Sequence, residues 1–282
     1  MSGVLYIVGL GPGAEDLLTP QASAALAAVS DVFGYQSYVD RVAPRADLVH
    51  HASDNREELM RARAALELAA CGRKVAIVSS GDPGVFAMAA AVCEALEDSP
   101  AAWEQIDVQV LPGITAMLAA SARAGAPLGH DFCAINLSDN LKPWALIEHR
   151  LRCAVAADFA IALYNPRSRA RPEGFARALE VLRAAAGDDR PVLFARAVST
   201  AAEQLQVVGL QQAQAEMADM RTMVIIGSSQ TRLLERSGGN LLYTPRSVGV
   251  EPHDSPRSVG VESPPSHCKA AETVCTSGRA GS

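Results

Sequence analysis

Short apolar runs alternate with longer stretches of helical spacing along most of the chain. VLYIVG (Val4 to Gly9) is a near-continuous apolar run ending in glycines, the pattern of a strand covered on both faces. Thr19-Pro20 supplies an N-cap and first-turn pair for the Ala-rich helix that follows. Asn55 to Cys71 has helical spacing and stops at Gly72, a residue suited to the position just past a helix. KVAIVSS then predicts a strand, GVFAMAAAVCEALE a helix and IDVQVL a strand, which makes an α/β unit of parallel type up to about Leu111.

After Pro112-Gly113 the alternation restarts. It predicts a helix from Thr115 to Ala124, a strand from Phe132 to Leu137, a helix from Trp144 to Val155 and a strand from Phe159 to Tyr164. A helix from Glu173 to Ala185, a strand from Val192 to Ala197, an amphipathic stretch from Glu203 to Met217 and a strand from Thr222 to Gly227 complete it. The fold class expected is α/β, as two α/β domains over residues 1–111 and 112–244 with a cleft between them. A closed eightfold barrel suits the uneven units and the GGNLLYTP ending poorly. From Pro245 to Ser282 aromatic residues are absent, Pro recurs and PRSVGVE occurs twice, at 245–251 and 256–262. Two polar copies are too few to stack as a solenoid, so this segment is expected to be a disordered extension without catalytic residues.

Composition removes several function classes. With 25 Lys+Arg against 31 Asp+Glu and a formal net charge of -6, the chain lacks the basic balance of a nucleic-acid binder, although a small anionic ligand needs only a local cation cluster. No apolar run reaches the roughly 20 residues that span a bilayer. MSGVLYIVGLG lacks the basic start of a signal peptide, so no membrane association and a cytoplasmic location are expected. Cys71, Cys93, Cys133 and Cys153 stand singly among apolar neighbours and are expected to be buried small hydrophobes. No His, Cys and carboxylate set has metal-ligand spacing. His50, His51, His130 and His149 fall in no nucleophile-base arrangement.

Four strings carry the chemistry. Gly9-Leu-Gly11-Pro-Gly13-Ala14 formally satisfies a dinucleotide fingerprint, with Asp31 near the place of a ribose-binding acid. EDLL nevertheless separates its glycines from the helix cap at Thr19, and Pro12 removes an N–H that a phosphate cradle needs. Ser79-Ser80-Gly81-Asp82-Pro83-Gly84 ends one strand and opens a helix; Asp82 either caps that helix or accepts hydrogen bonds from a ligand. Leu111-Pro-Gly-Ile-Thr115-Ala116 and Tyr164-Asn165-Pro-Arg167-Ser168 are two further turns after strands. Ligands of open α/β sheets bind outside the carboxyl ends of strands, so these strings are expected to form one cleft. Glycine turns without acid-base pairs suit a reaction whose cofactor carries the reactivity, and methyl transfer from a sulfonium is of that kind.

In this order, GLGPGAEDLLT, SSGDPGVFAMA, LPGITAMLAASARAGAPLGHDF and a strand ending in ALYNPRS resemble the tetrapyrrole methylases, two-domain enzymes that use S-adenosylmethionine (SAM). The resemblance runs from about Leu5 to Pro245. GYQSYVD, NLSDNLKPW, ALYNPRSRAR and DMRTMVIIGSSQTR are most similar to the subgroup that methylates C17 of precorrin-3B and contracts the macrocycle in cobalamin synthesis. It implies SAM in the interdomain cleft, against Leu10, Pro12, Gly81, Asp82, Val85, Thr115, Ala116, Tyr164, Asn165, Arg196, Ala197, Thr222 and Met223. Many of these contacts are expected through the backbone. For a carboxylate-bearing tetrapyrrole it implies Tyr35, Ser138, Asp139, Trp144 and Arg167, with Arg169 and Arg171 beside it. An Arg-rich loop reads equally as solvated surface, Trp144 as a core aromatic, and His130 either way. Asp82 and Asp139 are the candidate catalytic carboxylates. No metal is implied, and a homodimer is. The alternatives are the cobalt-containing, oxygen-independent version of the step, a nucleotide-binding oxidoreductase using Gly9 to Ala14, and a non-catalytic tetrapyrrole carrier.

Overall fold

The structure, a computed structural model, describes residues 3–54, 57–97, 100–187 and 189–247. Residues up to Arg246 belong to one compact unit. The extension expected after Pro245 lies, beyond Ser247, outside the described residues.

In chain order the first part holds β1 (Val4–Gly9), α1 (Pro20–Ala28), β2 (Asp31–Tyr35), α2 (Gln36–Val39), β3 (Val49–Ser53), α3 (Glu58–Ala70), β4 (Lys74–Ser79), α4 (Met88–Glu97) and β5 (Asp107–Leu111). The five strands form one all-parallel sheet in the order β3-β2-β4-β1-β5. The unbroken apolar run of β1 follows from two covered faces. Leu5 and Ile7 join Val75 and Ile77 under α3 and α4, while Val8 joins Ala76 and Val78 under α1.

The second part holds α5 (Ala116–Ala124), β6 (Gly125–Ala126), β7 (Phe132–Asn136), α6 (Trp144–Ala156), β8 (Ala160–Tyr164), α7 (Gly174–Ala186), β9 (Pro191–Arg196), β10 (Gln204–Gly209), β11 (Thr222–Ile226), β12 (Arg232–Leu234) and β13 (Leu241–Tyr243). Its main sheet has the order β10-β9-β11-β8-β7 and is mixed: β7 and β8 are parallel, whereas β11 runs against both β8 and β9. Alternation again sorts the faces. Ile161, Leu163, Val192, Phe194, Val224 and Ile226 face the core under α6 and α7; Ala162, Leu193, Ala195, Met223 and Ile225 pack with Ala120 and Ala124 of α5. Alanine at those two α5 positions lets the helix lie close on the sheet. β12, β13 and β6 make a small separate sheet.

Several expectations change. The stretch Glu203 to Met217 is not one amphipathic element: it is the edge strand β10 followed by a 3-10 turn at Ala215–Met217. An edge strand exposed on one side has polar-apolar alternation that a short window confuses with a helical stripe. α4 starts at Met88, not at Gly84, because Phe86 takes φ 53° and interrupts helical geometry. The cysteines are not buried. Cys71, Cys93 and Cys153 are exposed and Cys133 is half-buried, its thiol pushed up to about 11 by burial. Cys93 lies on the outer side of α4, whose Met88, Ala89, Val92 and Ala95 fill the inner side.

Three glycines meet where the loops after β1, β4 and β5 converge. A Cβ on Gly113 would sit 2.2 Å from the Gly81 carbonyl oxygen and 2.9 Å from Gly9, and one on Gly9 would sit 2.6 Å from the same Gly81 oxygen. Gly113→Ala is therefore expected to lower unfolding free energy by about 3 kcal/mol, since backbone atoms have no room to yield. Gly187→Ala, where a Cβ meets nothing within 4 Å and only the left-handed φ of 67° opposes it, is the control, with an expected cost of about 1 kcal/mol. Urea unfolding of both variants measures the difference; a cost at Gly113 no larger than at Gly187 would show that the junction is not tight.

Candidate active site

In the first sheet, the chain leaving β1 crosses toward β2 while the chain leaving β4 crosses past β1 to β5. Neighbouring strands whose connections diverge leave a crevice at their carboxyl ends, the switch point where open α/β sheets take ligands. The loops there are fastened by their backbones. Gly11 and Gly81 exchange N–H···O bonds of 3.1 and 2.9 Å, each at φ 66°, and the Leu10 N–H donates to the Ser79 carbonyl at 2.8 Å. Asp82 completes the fastening: one carboxylate oxygen accepts from the Gly84 N–H at 2.8 Å and the other from the Gly113 N–H at 3.1 Å. The Val85 N–H returns to the Asp82 carbonyl at 3.3 Å. Pro12 is half-buried in the first loop, and Gly13 packs against Thr200, which follows β9.

Gly113 leads through Thr115, the N-cap of α5, to the second sheet. The Tyr164 hydroxyl, at the end of β8, lies 2.5 Å from the Thr115 hydroxyl and accepts from the Met117 N–H at 3.3 Å. Burial pushes the Tyr164 phenol up, the Asp82 charge adds to this, and the two hydrogen bonds oppose it. Ala116, first in α5, has an N–H without an intrahelical acceptor. Phe86 reaches the same place from the first sheet, edge-on to Tyr164 with ring centroids 5.1 Å apart.

β9 runs parallel to β8, and β11 runs against them, so its first residue Thr222 pairs with the last of β9, Arg196. Tyr164, Asn165, Arg196, Ala197, Thr222 and Met223 are thus gathered at one end of this sheet. The side chains of Arg196 and Thr222 are both engaged by Asp219, at 2.8 Å each. Burial raises the Asp219 carboxyl, but its hydrogen bonds to Thr222, Arg196 and the Arg221 N–H outweigh this and hold it below the ordinary value. Of the five described non-glycine residues with left-handed φ, four are at these strand ends: Phe86, Asn165, Ala197 and Ser199. Such conformations cluster where structure around them overrides their strain, often at ligand sites.

The residues expected to touch the acceptor are spread more widely. Tyr35 ends β2 and lies edge-on to Tyr38. Asn165 donates to the Asn136 side-chain oxygen at 3.1 Å, which also accepts from the Ser138 N–H at 2.9 Å, so Ser138 sits beside the ALYN strand end. Asp139 is exposed, and Arg167 donates to the Pro172 carbonyl at 3.3 Å. Trp144 is largely committed to packing: Arg177 lies 4.5 Å over its ring, its indole N–H donates to Glu148 at 2.6 Å, and it borders the core under α6 and α7. Two contributors escaped the sequence reading. Phe86 lay within a predicted helix, and Arg41, which donates to the Leu10 carbonyl at 2.5 Å and the Gly11 carbonyl at 3.3 Å, directly follows the QSYVD marker string. Among the described residues no three metal-ligating side chains are grouped.

The dinucleotide alternative fails on geometry. The glycine turn leads into a 3-10 turn at Glu15–Leu17, and the later helix N-terminus is capped by Thr19, which accepts from the Ala22 N–H at 3.2 Å. Asp31 lies at the opposite end of the sheet, fully buried against Ser30, His51 and Arg73. A cavity of about 740 Å³ does lie nearby, walled by Gly13 to Leu17, the outer flank of α5 and Ser199 to Glu203. None of the residues expected to hold a ligand lines it; its one cation, Arg123, is paired with Glu203 at 2.7 Å, and Glu15 and Asp16 leave the lining acidic. The loop junction beside it is the stronger candidate site.

An α/β protein of two five-stranded sheets, with a switch-point crevice facing a second set of strand ends, has a definite class. The family of tetrapyrrole (corrin/porphyrin) methylases matches residues 4–214, and the chain belongs to it. It is 55% identical over 247 residues to a precorrin-3B C(17)-methyltransferase of a Sinorhizobium species, covering 87% of this chain and 97% of the relative. It is 38% identical over 244 residues to a Salmonella typhimurium protein named "Probable cobalt-factor III C(17)-methyltransferase", covering 86% of this chain and 98% of that one. The crystal structure of the methyltransferase CobJ superposes with a TM-score of 0.83 at 57% identity, over 86% of this chain and 100% of that one. The chain is a methyltransferase of this family.

Tyr164→Phe tests how the two sheets are fastened at the site. Loss of the hydroxyl removes its bonds to Thr115 and Met117, and stability to urea is expected to fall by about 1–2 kcal/mol. An unchanged midpoint would mean that this hydroxyl does not hold the start of α5.

Proposed function

We propose that this protein methylates C17 of precorrin-3B with SAM as donor, coupled to contraction of the macrocycle, in cobalamin biosynthesis. The observation that carries the reading is the glycine-built crevice facing the ends of β8, β9 and β11, in a chain 55% identical to a precorrin-3B C(17)-methyltransferase along 97% of its length. The lower identity of 38% to the cobalt-factor III relative favours the metal-free acceptor over the cobalt-containing one.

The residues present fit such a donor. Phe86, Met117 and Tyr164 give apolar surface, while the carbonyls of the first two loops and the Ala116 N–H, which has no intrahelical acceptor, give polar contacts at backbone positions. SAM supplies a methyl group already activated on a sulfonium, so the protein's task is alignment and exclusion of water. Leu10, Pro12, Gly81, Val85, Thr115, Ala116, Tyr164, Asn165, Arg196, Ala197, Thr222 and Met223 would hold it. Asp82 acts as a positioning residue: both its carboxylate oxygens already accept backbone N–H groups, which leaves it poorly placed to move a proton. Asp139, exposed and within electrostatic range of Lys142, is the carboxylate of the loop on the acceptor side, and any proton transfer from this loop falls to it. Tyr35, Ser138 and Arg167 border the acceptor, and Trp144 supports that wall from behind. A homodimer belongs to the same reading.

Incubation with SAM and precorrin-3B, read by product mass and absorption spectrum, tests the proposal. The expected product carries one added methyl group and the spectrum of a contracted ring, and Asp139→Asn retains affinity for S-adenosylhomocysteine while losing turnover. Turnover only with the cobalt-containing acceptor would assign the other branch. Binding without any methyl addition would indicate a carrier, and normal product from Asp139→Asn would remove Asp139 from catalysis.

A further inference from the structure

Arg61 is an anomaly of the first sheet. It is 6% exposed, and three of its five N–H donors are used: Nε to the Ser53 hydroxyl at 2.8 Å, Nη2 to the Asp54 carbonyl at 2.7 Å, and Nη1 to the Met88 sulfur at 3.4 Å, a weak acceptor. Among the described residues it forms no ion pair. Arg190, equally buried, is paired with Asp158, and Arg45, whose guanidinium caps the end of α1, is paired with Asp47. The charges of Glu58 and Glu57 reach it, but no carboxylate among the described residues is paired with it directly, and a buried cation held without a direct ion pair is costly.

A second guanidinium nearby is held in the same way, by carbonyl groups. Arg41 spends its guanidinium on the carbonyls of Leu10 and Gly11 and also lacks an ion pair among the described residues. Tyr38 lies within electrostatic range of both cations, edge-on to Tyr35 at 5.5 Å, and its hydroxyl has no hydrogen-bond partner among the described residues. Burial lowers both guanidiniums and raises the Tyr38 phenol, as expected of groups held out of water. The three residues lie at the carboxyl end of the first sheet. They are tied there to the first glycine loop through Leu10 and Gly11, and to Met88 just after the second.

We propose that Arg61, Arg41 and the Tyr38 hydroxyl form a carboxylate-recognition site for one peripheral side chain of the tetrapyrrole acceptor, and so fix which edge of the macrocycle enters the cleft. The inference rests on the acceptor class proposed above. Arg61 has two N–H groups left over, one on each terminal nitrogen, the number a carboxylate takes in a forked pair. The site lies on the first sheet, away from the Arg-rich loop after β8, so the acceptor would be oriented from both halves of the cleft.

The test uses the whole protein and the variants Tyr38→Phe, Arg61→Met and Arg61→Lys, with three readouts: S-adenosylhomocysteine affinity by calorimetry, KM and kcat for precorrin-3B, and the unfolding midpoint. The expected result is a KM raised about 3- to 10-fold in Tyr38→Phe and about 10- to 100-fold in Arg61→Met, with partial recovery in Arg61→Lys and donor affinity within about twofold throughout. Tyr38→Phe removes a hydroxyl that has no hydrogen-bond partner among the described residues, so it should fold like the wild type and decide the matter even if Arg61→Met does not fold. Wild-type turnover with an unchanged KM in Tyr38→Phe and a lowered unfolding midpoint in the Arg61 variants would make the cluster structural and overturn the site. Wild-type protein that binds S-adenosylhomocysteine but forms no product would instead overturn the acceptor assignment, and this site with it.

Discussion

The close approach of Gly9, Gly81 and Gly113 is the constraint on which the cleft depends. Three loops leaving neighbouring strands meet so closely that neither Gly9 nor Gly113 has room for a side chain, with backbone atoms as the obstacles. Because the contact is between main chains, the loops after β1 and β4 can pair as Gly11 with Gly81, and Asp82 can reach the Gly113 N–H. That last bond ties the first sheet to the segment that starts α5. A bulkier residue at Gly9 or Gly113 would separate the loops and move the groups that face the crevice, while at Gly81 the left-handed φ of 66° is what opposes a side chain.

From this junction the second sheet is placed by short steps. Thr115 caps α5 and meets Tyr164, α5 lies on the sheet through Ala120 and Ala124, and the reversed direction of β11 brings Thr222 beside Arg196. The left-handed residues Phe86, Asn165, Ala197 and Ser199 turn the chain at these ends. A donor activated in advance asks for such an enclosure more than for acid-base groups, and the carboxylates nearest the junction, Asp82 and Asp219, are indeed occupied by hydrogen bonds within the protein.

Much of this was legible in the sequence, for identifiable reasons. β1, β4, β8, β9 and β11 are covered on both faces and therefore read as continuous apolar runs, and the glycines after β1 and β4 mark turns that only glycine fits. β2 and β3 were not legible. β2 is five residues long with Gly34 inside it, and β3 is an exposed edge, VHHAS, with little apolar signal. The antiparallel direction of β11 depends on pairing far along the chain, which local spacing does not record. The cysteines misled because an apolar neighbourhood in sequence is not one face of a helix in space. Phe86 was hidden by its helix-like context, since its departure from helical geometry follows from the loop junction and not from its own propensity. Trp144 looked available for a ligand until its partners Arg177 and Glu148, the former from the next helix, were seen.

The donor is expected to bind at the glycine junction between the sheet ends, and not in the cavity of about 740 Å³ along the outer flank of α5. Amide hydrogen exchange with and without S-adenosylhomocysteine measures this directly. Slowed exchange is expected in Leu10 to Gly13, Gly81 to Phe86, Gly113 to Met117 and the residues around Ala197 and Met223. Slowing confined to Glu15 to Leu17, Leu118 to Arg123 and Ala201 to Glu203, or no slowing at all, would contradict it.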